Sequence, residues 1–158
     1  MSKITDSIIG HAIGDAMGMP TEFCIREHLL SNPVTDMIGS KKVGQSAGTW
    51  TDDTSMEIAT IESIISNKGF NYSDIMTRWC DWLNKGDYTP NGEVFDVGRT
   101  CLRACRNFMN GIEPIISVTG LLNKCSRIQN SVGIPIASPI AWPIILSVIL
   151  DIILLLNY

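Results

Sequence analysis

Over most of the chain apolar residues recur three and four positions apart, the spacing of one face of an α-helix, and no run of useful length alternates as a strand does. Ile4, Ile8 and Ala12, flanked by Ile9, Ile13 and Ala16, predict a first helix, which Ser2 or Thr5 can cap. Gly10, Gly14 and Gly18 form a row without side chains on it, costly to the helix but useful where a backbone or ligand must come close. Pro20 then ends or redirects the chain. Residues 31–50, rich in Ser, Asn, Pro and Gly, read as a long surface loop.

From Thr51 a second helix is predicted, with Ile58, Ile61, Ile64 and Ile65 on its apolar stripe and Gly69 as its stop signal. Tyr72, Ile75, Met76, Trp79 and Leu83 define a third, amphipathic helix. The segment from Gly86 to Gly92 has turn-forming composition, strongest at Asn91-Gly92. Helical patterning resumes over Thr100 to Asn110, stops at Gly111, and Pro114 suits the first turn of a further helix. The expected fold is all-α, built from several short helices and functional loops.

Composition breaks at the C-terminal end. From Ser131 to Tyr158 there is no Lys, Arg, Glu or His and one acid, Asp151, while Pro135, Pro139 and Pro143 punctuate the stretch. Residues 140–156 are nearly continuous in apolar side chains, which raises a short membrane segment, although Asp151 and the prolines weigh against it. The whole chain, 158 residues with 45% hydrophobic and 18% charged, suits one globular domain. At net charge −4, with its Lys and Arg scattered, it offers no nucleic-acid-binding patch. Five cysteines with no C-x-x-C spacing fit a reducing, cytoplasmic location better than a disulfide framework. Cys101 and Cys105 read as small buried apolar residues rather than zinc ligands. The N-terminus lacks the apolar core of a signal peptide.

Candidate chemistry concentrates in Thr51-Asp52-Asp53-Thr54, at the start of the second helix. One reading is a helix N-cap, in which Thr and Asp satisfy free N–H groups and oppose the macrodipole. The other is a site for a hard divalent cation, whose preferred ligands are carboxylate and hydroxyl oxygens. Adjacent helical residues diverge by about 100°, so the tetrapeptide would serve two ions more naturally than one and needs further oxygen ligands. Upstream, Glu22 follows the Pro20 break, where a carboxylate can project toward a cleft. Asp15, between glycines, reads as a cap or brace for a neighbouring loop.

Taken together, Gly10-x-x-x-Gly14-Asp15-Ala16-x-Gly18-x-Pro20-x-Glu22-Phe23, Trp50-Thr51-Asp52-Asp53-Thr54-Ser55-Met56 and Gly92-x-x-Phe95-Asp96-x-Gly98-x-Thr100 resemble, in order and spacing, the motifs of the ADP-ribosylglycohydrolase family. The resemblance covers roughly residues 3 to 125, about the first half of a typical member. It implies an orthogonal multi-helix fold and a pair of Mg²⁺ or Mn²⁺ ions on Thr51, Asp52 and Asp53. Glu22 would act in catalysis or gate the site. Gly92, Phe95, Asp96 and Gly98 would form a loop holding ADP-ribose, with Asp96 the polar contact to the ribose. The implied activity is hydrolysis of the N- or O-glycosidic bond of an ADP-ribosylated protein or small molecule, through an oxocarbenium-like transition state aided by an acid–base group and metals.

The family's distal D-x-D motif has no counterpart here, nor does its Asn/Gly-rich segment after about residue 125. The expectation is therefore an ADP-ribosylglycohydrolase-like domain over 1–130 and an atypical apolar tail over 131–158 that is not family core. A truncated or frameshifted gene would leave such a chain with reduced or no activity and with apolar faces open to self-association. The alternative is a non-catalytic ADP-ribose-binding remnant, membrane-associated through the tail.

Overall fold

The computed structural model describes residues 3–117; the tail, with its expected domain boundary and membrane segment, lies outside the described residues. Five α-helices and a short 3-10 turn make up the described part: α1 (Lys3–Gly18), the 3-10 turn Met19–Thr21, α2 (Arg26–Ser31), α3 (Asp52–Asn67), α4 (Tyr72–Lys85) and α5 (Arg99–Met109). An isolated bridge between Ser40 and Gln45 is the sole strand-like pairing among the described residues. The all-α expectation holds. None of these helices is long and apolar enough to cross a membrane.

The heart of the molecule is the α3–α4 pair with α5 laid against α4. Asn71 caps α4 by accepting a hydrogen bond from the Asp74 N–H, and Gly86 closes it in the left-handed conformation that glycine adopts without penalty. Trp82 is 1% exposed, and Met76, Cys80, Ala104 and Cys105 join Trp79, Leu83 and Phe108 in one apolar cluster. Trp79 donates its indole N–H to the Met56 carbonyl at 3.2 Å and the Thr60 hydroxyl at 3.1 Å, tying α4 to α3.

Several local expectations are corrected. The buried face of α3 keeps Ile64 from the expected stripe but otherwise runs through Met56 and the small or polar Ala59, Thr60 and Ser63, while Ile65 is 71% exposed. Lys68, not Gly69, takes the left-handed position that ends α3. Residues 26–31 form α2, a short helix without periodicity enough to announce it. On α1 Ala16 is the one buried residue, and Ile9 and Ile13 face outward. Helical backbone restarts at Pro114, as its preference for a first turn predicts.

Candidate functional site

Asp15 organises the site from α1. Its carboxylate accepts the Thr51 N–H at 3.0 Å, the Thr51 hydroxyl at 2.7 Å, the Thr54 N–H at 3.1 Å and the Thr54 hydroxyl at 2.5 Å. Thr51 occupies the N-cap position of α3 but makes no side-chain cap bond. The cap therefore comes from Asp15, more than thirty residues earlier, and the helix N-terminus meets a negative charge there. The sequence reading of Asp15 as a brace is thus realised, and the reading of Thr51 as its own cap is not. A hydroxyl that donates to Asp15 keeps its lone pairs, so Thr51 can still present oxygen to a cation.

With α3 anchored, Asp52 and Asp53 diverge as consecutive helical residues must. Asp52 Oδ2 accepts the Gly98 N–H at 3.1 Å, which brings the loop before α5 onto the start of α3. Burial pushes the Asp52 carboxyl up to about 7, against the lowering effect of the Gly98 N–H and with help from Asp53, Asp96 and Asp15. Asp53 is also raised, first by burial, then by Asp15, while His11 acts in the opposite direction.

Glu22 sits at the C-terminal end of the 3-10 turn, where Pro20 redirects the chain, and its Oε2 is buried with no hydrogen-bond partner among the described residues. Burial, the neighbouring Asp96 carboxyl and the charges of Asp52 and Asp15 push Glu22 up to about 8. Two non-glycine residues here hold left-handed backbone, Phe23 at φ 57° and Asp96 at φ 51°. Strain of this kind costs about 1–3 kcal/mol per residue and gathers where side-chain placement matters. Cys101 borders the cluster, its thiol pushed up to about 12 by burial and then by Asp52 and Asp53, and is therefore unreactive.

The structure thus brings Glu22, Asp52, Asp53, Asp96 and Gly98 into one neighbourhood, with Thr51 behind it. Gly92 lies at the far turn of the same loop, at φ 78°, with its carbonyl against Gly86, and Phe95 is half-buried between the two ends. Mutually repelling carboxyls, one with an orphaned buried oxygen, form the donor set that a hard cation would satisfy. Among the described residues, however, no three His, Cys, Asp or Glu side chains converge on one ion position. Sequence reasoning missed His11 and Glu57, paired at 2.5 Å across α1 and α3. Their 46-residue separation leaves no local signal.

The family model for ADP-ribosylglycohydrolases matches residues 1–141, and the chain belongs to that family. It is 33% identical to the ADP-ribosylarginine hydrolase Tri1 of Pseudomonas putida (strain GB-1) over 111 residues, 70% of this chain and 28% of that one. A Tri1 of the same description from Serratia proteamaculans (strain 568) is 34% identical over 109 residues, 69% of this chain and 29% of the relative. The ADP-ribosyl-(dinitrogen reductase) glycohydrolase of Rhodospirillum rubrum is 28% identical over 106 residues, 66% of this chain and 34% of its own. The chain spans about a third of the length of these relatives.

Proposed function

We propose that this chain supplies the carboxylate wall of a divalent-metal-dependent hydrolase that removes ADP-ribose from arginine. The observation that carries the reading is the buried Glu22 Oε2, without a hydrogen-bond partner among the described residues, on a carboxyl within electrostatic reach of Asp96 and Asp52. The names of the two Tri1 relatives support arginine as the modified group. Asp52, Asp53 and the Thr51 hydroxyl would hold Mg²⁺ or Mn²⁺, with further ligands from outside the described residues. When bound, the metal supplies Lewis-acid positioning of ribose hydroxyls and water.

The chain's own groups then divide the work. Asp15 fixes the first turn of α3, so that Asp52 and Asp53 start from a rigid base. Asp96, held in left-handed backbone, can accept a ribose hydroxyl. Glu22, whose protonated form burial and Asp96 favour in the metal-free chain, can give a proton to the guanidine nitrogen as the bond from the anomeric carbon breaks. The resulting carboxylate then accepts the proton of the water that adds to that carbon, which restores Glu22 and yields free ADP-ribose and arginine.

The test is release of ADP-ribose from ADP-ribosylarginine by the full chain with Mg²⁺. Release that falls by about a hundredfold or more in Glu22→Gln, and to background in Asp52→Ala, supports the reading. Saturable ADP-ribose binding without release would instead establish a non-catalytic binding module.

A further inference from the structure

On α1, His11 and Asp15 lie one turn apart, and on α3 so do Asp53 and Glu57. The two faces meet in antiparallel register. Asp15 holds Thr51 and Thr54 at the first turn of α3, and one turn further along His11 Nδ1 lies 2.5 Å from Glu57 Oε2. The His11 and Glu57 side chains are 14% and 8% exposed, a pair withdrawn from water inside the α1–α3 contact. Asp53, one turn before Glu57, is within the electrostatic reach of both His11 and Asp15.

A buried ion pair is a poor device for stability alone, because desolvation offsets most of its attraction and an apolar pair would hold two helices as well. What a charged, directional pair offers is a fixed geometry. Packing on α4 holds the body of α3, whereas on the α1 side Asp15 holds its first turn alone; a second contact one turn away also fixes how α3 lies against α1. We propose that His11 is a positioning residue for Asp53, forming with Glu57 the second rung of a clamp that fixes the direction in which α3 presents that carboxylate. The consequence for metal binding rests on the cation reading of Asp53 given above.

Outer-shell partners of this kind typically hold about 10–100-fold of metal affinity. In Mn²⁺ titrations of the full chain followed by electron paramagnetic resonance, His11→Gln and Glu57→Gln should each weaken binding by about tenfold. The double variant, whose two amides can bond each other, should recover most of that loss. Arg78→Gln, which breaks the contacts to Asp74 and Glu62 away from the site, controls for lost stability and should bind Mn²⁺ as the wild type does. Wild-type affinity in both single variants, or a loss no different from that of Arg78→Gln, overturns the proposal.

A second measurement needs no metal. The groups facing His11 are Asp15 on its own helix and Asp53 and Glu57 on α3. In the metal-free chain, the nuclear magnetic resonance titration midpoint of the His11 ring should fall in Asp53→Asn, because a neighbouring negative charge is removed. An unchanged midpoint overturns the placement of His11 beside Asp53. Should the wild-type chain bind no Mn²⁺, the cation reading fails, and the clamp is then overturned if the backbone amide resonance of Asp53 is unmoved in both His11→Gln and Glu57→Gln.

Discussion

Four hydrogen bonds converge on the Asp15 carboxylate, two from backbone N–H groups and two from hydroxyls at the start of α3. Asp15→Ala strands those buried donors and removes the helix cap together, so denaturant unfolding should show a loss of about 3 kcal/mol. Glu22 and Asp52 make a different prediction. Their ordinary values of 4.5 and 3.8 rise in the fold to about 8 and about 7. The folded chain therefore holds protons that the unfolded chain releases, a contribution fully present below about pH 4 and lost as pH rises toward 7–8. In chelator-treated protein the melting temperature should fall across that interval, and Glu22→Gln should flatten the fall. A melting temperature that rises over the same interval, or an unaltered slope in Glu22→Gln, would contradict the placement of Glu22.

At the scale of elements, the loop from Gly86 to Gly98 links the end of α4 to the acids of α3. A Cβ on Gly86, already at φ 76°, would collide with the Gly92 carbonyl, whereas a Cβ on Gly92, at φ 78°, meets nothing. Gly86→Ala should therefore destabilise clearly more than Gly92→Ala, which carries the left-handed backbone penalty of about 1 kcal/mol alone. Equal losses in thermal unfolding would show that the two turn ends are not packed as described. Helices α3, α4 and α5 were legible in advance because amphipathic spacing, the turn composition from Gly86 to Gly92 and the stop at Gly111 are local signals. Short α2 and the exposure of Ile65 were not, since α2 has no room for a period and the α3 face is chosen by where Trp79 and Asp74 bond to it.

Across the whole molecule, the candidate acids were visible because they sit in motifs whose spacing is a family property, while the contacts that aim them were not. The Asp15–Thr54 and Gly98–Asp52 bonds join positions 39 and 46 residues apart, and nothing in either local segment announces the other. The proposed function has one direct consequence: a ligand bearing ADP-ribose should engage these acids in a manner that depends on a divalent cation. Calorimetric titration of the full chain with ADP-ribose, with Mg²⁺ and with chelator, in wild type and Asp52→Ala, tests that most directly. Saturable binding that requires Mg²⁺ and disappears in Asp52→Ala is the predicted result. Binding indifferent to Mg²⁺ and to Asp52→Ala, or no binding by the wild type with Mg²⁺ present, would contradict it.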